Sequence, residues 1–190
     1  MKSYHSLLLL LISQIILASD SVISIKGQLW SSMITSNDIP KGQSNIESNF
    51  GYISFISIAK ELSNNQLLDL EFAHRLDRIY SGDSLFYNNE SNHRYWVRYS
   101  NEKLETRLGL QKIVFGPSFI LRSLSWFDTI DIRNPLSTTD GVSAFRVKNY
   151  FSDLFSAWFW LTSDKYSKLS AGGRAEITTD TGELAFTLHR

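Results

Sequence analysis

A chain of 190 residues with a net charge of +0 has no bulk attraction to nucleic acid or to an anionic membrane surface, and its basic residues do not cluster as those of a nucleic-acid binder do. With Cys 0 it carries no thiolate metal site, no disulfide framework and no lipidated N-terminal cysteine. At 13% aromatic it is richer in rings than most soluble domains, and many of those rings fall at the ends of apolar segments.

The first residues read as an export signal. Lys2 and His5 precede an apolar run over 7–12, which resumes as Ile15-Ile16-Leu17 after Ser13-Gln14; Ala18 and Ser19 stand before Asp20. A charged start, an apolar middle and a small-residue cleavage zone predict a secretory signal peptide over 1–19, cut near Ala18 or Ser19. The run is broken and falls short of the ~20 apolar residues of a spanning helix. No later stretch approaches one, so any further membrane crossing must use strands.

From there the chain alternates. In the first strand Ile23, Ile25, Gly27 and Leu29 face one way, and Lys26, Gln28 and Trp30 the other. Segment 49–59 is apolar on both faces, with Tyr52, Ile56 and Ile58 against Ile53 and Phe55. Leu68, Leu70 and Phe72 alternate with Asp69, Glu71 and Ala73, and the strand runs on to Asp77. Over 94–99, Tyr95, Val97 and Tyr99 oppose Arg94, Trp96 and Arg98; over 104–111, Leu104, Thr106, Leu108 and Leu110 oppose Glu105, Arg107 and Gln111. Phe145 and Val147 oppose Arg146 and Lys148. Phe155, Ala157, Phe159 and Leu161 oppose Ser156, Trp158 and Trp160. Leu169, Ala171, Ala175 and Ile177 then oppose Ser170, Arg174, Glu176 and Thr178, and Leu184, Phe186 and Leu188 oppose Glu183, Thr187 and His189. Each segment alone is a weak signal; period-two alternation repeated this often is a strong one.

The connections switch between short and long. Those at 60–66, 100–103, 152–153 and 179–182 are short, and those at 35–47, 79–92, 112–141 and 162–168 are longer. Tight turns at one end, longer loops at the other, and strands of about ten residues that are apolar outside and polar inside are the pattern of a membrane barrel. With the mature N-terminus on the periplasmic side, every short turn falls there and every long loop outside. The expected fold is therefore all-β, an antiparallel up-and-down transmembrane β-barrel over 20–190, exported to the bacterial outer membrane. Nine strands is an odd number, whereas single-chain bacterial barrels usually have an even one. The chain also closes on Leu188-His189-Arg190 rather than on an aromatic. Both favour the N-terminal nine or so strands of a larger barrel over a self-closed eight-stranded one.

One stretch carries motifs. It runs through Arg107-Leu108-Gly109-Leu110-Gln111-Lys112, Phe115-Gly116-Pro117, Trp126-Phe127-Asp128, Asp131-Ile132-Arg133-Asn134-Pro135, Asp140-Gly141-Val142 and Phe145-Arg146-Val147. Together these elements, about a quarter of the chain over 104–151, resemble outer-membrane porins of the alginate-export and phosphate-selective kind and their uncharacterised relatives. Leu110 departs from the pattern, standing where alginate-export barrels usually carry Arg. The resemblance implies a barrel of about 14 to 18 strands, wide enough for an aqueous channel. It does not name the solute.

The 112–141 connection is long for a loop, and Phe119, Ile120, Leu121, Leu124, Trp126, Phe127 and Ile130 need somewhere to pack. It is expected to fold into the barrel mouth as a constriction loop, with Trp126 in it and Asp128, Asp131 and Arg133 facing the water path. Alternatively, 131–135 is simply a capped turn. The expected pore lining is Lys26, Arg94, Arg98, Arg107, Arg146, Lys148 and Arg174, with Glu105 and Glu176; Arg75, Asp69, Glu71 and Glu183 share the same phase. Pairs such as Arg98 or Arg94 with Glu105, and Arg174 with Glu183, would stabilise the wall, while the basic excess favours anions. Trp158 and Trp160 point inward, either as a sugar-stacking track or packed against the loop. Tyr52, Tyr80, Tyr95, Tyr99, Tyr150 and Tyr166 suit interfacial girdles. His74 and His93 read as plain surface residues, so neither enzyme activity nor a metal or cofactor is expected. The expected function is a porin-like channel for passive diffusion of small polar or anionic solutes. Its partners would be outer-membrane lipid and the barrel-assembly machinery, with homo-oligomerisation left open. Two alternatives stand: a small non-transporting structural or adhesive barrel, and a secreted soluble β-barrel with its apolar faces turned inward on a ligand.

Overall fold

The computed structural model describes residues 21–38, 44–62, 65–115, 126–127, 139, 141–164 and 166–190. They form one antiparallel sheet of nine strands, each paired with the next in the chain. The strands are β1 (Ser21–Thr35), β2 (Ile46–Leu62), β3 (Gln66–Ser81), β4 (Ser84–Ser100), β5 (Leu104–Gln111), β6 (Val142–Tyr150), β7 (Phe155–Ser163), β8 (Leu169–Thr179) and β9 (Gly182–His189). β1 and β9 are the two edges, and the sheet is open rather than closed into a barrel. The expected signal over 1–19 lies outside the described residues.

Loop segregation by end holds with one correction. The expected loop at 79–92 is strand: β3 runs to Ser81, β4 begins at Ser84, and a two-residue turn joins them. Gly82 takes φ 58 there, in the left-handed region that glycine enters without steric cost. Asn88-Asn89-Glu90-Ser91-Asn92 has poor strand propensity, which hid this extension. Pairing with β3 overrides that propensity, through Asn88↔Arg78, Asn89↔Asp77 and Glu90↔Leu76. As a result β1–β4 run 15 to 17 residues against 8 to 11 for β5–β9, and the four long strands project past the end of β5.

Register sorts the side chains onto two faces. One row runs Ile25↔Ile56↔Phe72↔Tyr95↔Leu110 across five strands. Another runs Leu108↔Phe145↔Leu161↔Ala171. On this apolar face large hydrophobic residues stand in the open: Ile25 is 76% exposed, Phe186 67%, Leu108 56% and Phe159 50%. On the opposite face Asp69↔Arg98↔Arg107↔Arg146↔Trp160↔Gly172↔His189 crosses seven strands. That charged face is the more enclosed one, with Trp30, Ile53, Ala73, Trp160, Asp69, Asp77 and Arg94 all buried. Trp30 lies over Gly51 and Trp160 over Gly172, where a Cβ would fall 1.9 and 2.5 Å from the ring atom Cζ2. The two glycines let the indoles lie flat against the sheet. For a protein in water this arrangement is inside out: apolar rows this extensive normally face a core or a partner.

Candidate functional site: the charged face

The charged face is organised around two carboxylates. Arg98, Arg107 and Arg146 are register neighbours on β4, β5 and β6, and all three converge on Glu105. Arg146 Nη2 donates to Glu105 Oε1 at 2.5 Å, Arg107 Nη2 lies 3.4 Å from the same oxygen, and Arg98 Nη1 lies 3.6 Å from Oε2. Arg98 Nε also donates to Asp69 Oδ2 at 2.6 Å. Trp96 lines this group: its ring centroid is 4.4 Å from the Arg107 guanidinium, and its Nε1 donates to Glu71 Oε1 at 3.1 Å.

Glu176 is the second hub. It accepts hydrogen bonds from Arg174 Nε at 2.7 Å, Trp158 Nε1 at 2.9 Å, and Lys148 Nζ and Ser156 Oγ at 3.1 Å each. Arg174 Nη2 stands 3.8 Å from Glu183 as well. Lys148 Nζ and the Arg146 guanidinium sit 4.6 and 5.2 Å from the Trp158 ring centroid. A third pair, Arg75 with Asp77 at 2.6 Å, places its guanidinium 5.6 Å from the Trp30 centroid. Cations held between indole faces and carboxylates have little rotational freedom, so these groups present a fixed polar surface.

The described part of the β5–β6 connection lies on this face. Phe115 packs 5.1 Å from Trp160 and 6.2 Å from Trp158, centroid to centroid, with the Arg174 guanidinium 5.7 Å from its own ring. Trp126 and Phe127 reach the His189 ring at 5.2 and 4.9 Å. Ile113 and Thr139, near the two ends of the connection, are fully buried. Trp158 and Trp160 therefore pack against the connection, one of the two roles their inward phase left open.

The expected lining residues separate into groups. Arg98, Arg107, Arg146 and Glu105 come together, as do Lys148, Arg174 and Glu176. Lys26 is on the charged face of β1 and exposed. Arg94 stands apart: it is buried and directs Nη2 to the Thr139 carbonyl oxygen at 2.7 Å. Trp126 is described, whereas Asp128, Asp131 and Arg133 lie outside the described residues. The sequence reading missed the parts played by Asp77, Trp96, Phe115, Thr139 and His189, and His93, expected at the surface, is buried in β4 with its ring edge-on to Phe55. Alternation alone showed Trp96 and His189 to be inward, but their partners depend on cross-strand register. Compared with family models, with curated proteins and with solved structures, the chain matches none.

Proposed function

We propose that this sheet is the N-terminal arc of a larger outer-membrane β-barrel, a porin-type channel for passive diffusion of small polar or anionic solutes. One observation carries the reading: apolar rows are exposed on one face while ion-paired residues are enclosed on the other. A bilayer satisfies that division, because lipid takes the apolar rows and water the charged wall. Most of β5–β9 match the roughly 9–11 residues that a tilted strand needs to cross the hydrocarbon. The open edges at β1 and β9 leave room for further strands, and the porin resemblance over 104–151 points the same way. Arg98, Arg107 and Arg146 stand side by side across β4–β6 on the charged face, which supports a mild preference for anions. A soluble barrel with an apolar interior would require the opposite facing. The test is reconstitution of the protein, with whatever chain continues it, into planar bilayers under a salt gradient. Discrete current steps with a reversal potential on the anion side support the proposal. A protein that folds into vesicles but passes no ions removes the channel and favours the structural barrel.

A further inference from the structure

We propose that lipid hydrocarbon covers the apolar face as an oblique band, descending from 23–33 on β1 to 184–188 on β9 and leaving the outward face of β4 beyond Tyr95 in water. The band rests on the membrane reading above and not on conduction.

Two register rows carry it. One runs Ser21↔Lys60↔Leu68↔Tyr99↔Thr106↔Val147↔Phe159↔Gly173↔Leu188 through all nine strands. It is polar at β1 and β2 and apolar at β7 and β9. The other runs Leu29↔Tyr52↔Leu76↔Glu90, apolar over β1–β3 and charged at β4. The rows change character in opposite senses. A band parallel to the rows cannot do that, and a band crossing them obliquely does. Its slope follows from the same registers. Leu29, near the middle of the apolar positions of β1, lies eight residues past Ser21, and Phe186 lies two before Leu188, an offset of ten residues over eight strand steps. That is about 33 Å along the strands against about 38 Å across them, an inclination of about 40°. Strands of transmembrane barrels are tilted by about 35–45°. A sheet that merely packed on a soluble partner has no reason to show this slope.

The upper boundary is built into β4. Its apolar run Tyr99, Val97, Tyr95 stops where register slips between Ala73 and His74. Ala73 pairs with Arg94 and His74 with Asn92, so His93 is an extra residue in β4. The bulge reverses the phase of the strand: Asn92, Glu90 and Asn88 now share the outward face with His74, Leu76 and Arg78, and all three are exposed. Three polar side chains in succession would be costly in hydrocarbon and cost nothing in water. On β1 the apolar positions continue past the same level, through Leu29 to Met33 at 69% exposure, as an oblique boundary requires.

Nitroxide labels on single cysteines test the band, since the chain has Cys 0 and an introduced thiol is the one labelled. The whole protein, with whatever chain continues it, is folded into phosphatidylcholine vesicles. Collisions with oxygen and with a water-soluble nickel chelate then give the depth of each label. L29C, L108C and F186C should show oxygen-to-nickel ratios at least about tenfold above that of N88C, because hydrocarbon excludes water. L29C and F186C should lie within about 5 Å of the same depth, whereas strands along the bilayer normal would separate them by about 33 Å. I25C and L184C, offset by eight residues, repeat the comparison should either variant fail to fold. Lipid contact with L29C and F186C near opposite surfaces overturns the oblique band and leaves the membrane reading standing. Free nickel access at L29C, L108C and F186C removes both. Labels shielded from both reagents would put a protein, such as a second copy of the chain, on this face and overturn the lipid assignment. Oxygen contact at N88C equal to that at L108C overturns the boundary at Tyr95. The depths are read without current, so a failure of the channel and a failure of the band are distinct results.

Discussion

Replacing Leu108 by Arg puts the central reading at risk with one substitution. Leu108 is 56% exposed on the apolar face, between Val97 and Phe145 in register. It lies midway along β5, which at about 3.3 Å per residue is about 26 Å long. A side chain there is about 13 Å from either end, beyond the reach of an arginine snorkelling to the headgroups. If that face meets water, the change swaps one exposed residue for another and costs no more than about 0.5 kcal/mol. If it meets the bilayer midplane, the cost is about 2–4 kcal/mol. That corresponds to a loss of about thirty- to several-hundred-fold in the folding equilibrium. Urea titration of the protein in phosphatidylcholine vesicles, followed by heat-modifiable gel mobility, reads this directly. The matching control is Thr178→Arg on the charged face, where little change is expected. Equal stability of L108R and wild type in vesicles would refute the assignment of the apolar face to lipid.

Three further outcomes follow from the charged face and its surroundings. Gly172→Ala would place a Cβ 2.5 Å from Trp160 Cζ2 and 2.6 Å from the Leu188 carbonyl oxygen, and the latter cannot yield without moving β9. A loss of about 1–3 kcal/mol in urea stability, with a shifted tryptophan emission, is expected. Glu105→Gln removes the shared counterion of Arg98, Arg107 and Arg146. Because those side chains keep 28%, 17% and 12% of their exposure, the cost should fall near 1–2 kcal/mol, below that of a fully buried pair. In the channel reading, the same variant moves the reversal potential further toward anions; an unmoved potential would take Glu105 and its arginines off the conduction path. Glu90→Gln should be neutral within a few tenths of a kcal/mol, since its contact with Arg78 is 3.5 Å long and both side chains are well exposed. A larger drop in the urea midpoint would contradict that.

Reading strands from the chain succeeded where side chains alternate cleanly and failed where they do not. Leu104–Gln111 and Leu169–Thr179 are visible as period-two patterns with the correct phase. Asn88–Asn92 is not, because five polar residues in a row carry no alternation and their strand conformation comes from pairing with β3. The long segment 112–141 announced that it needed a packing surface through its aromatic residues, and its described part meets Trp158, Trp160 and His189. No local signal distinguished Arg94 from the other inward arginines. Its contacts depend on a bulge one residue away and on Thr139, 45 positions along the chain.

Alternation by itself therefore determined where most of the strands lie and which of their residues share a face, because a strand's side-chain period is two wherever it pairs. Tertiary structure alone decided which charges meet. Neighbouring strands bring residues such as Glu105 and Arg146 together from 41 positions apart, and the register that does so is set by pairing along whole strands and by bulges. That is why two carboxylate hubs, the glycine seats beneath Trp30 and Trp160, and the buried Arg94 became visible only in the folded sheet.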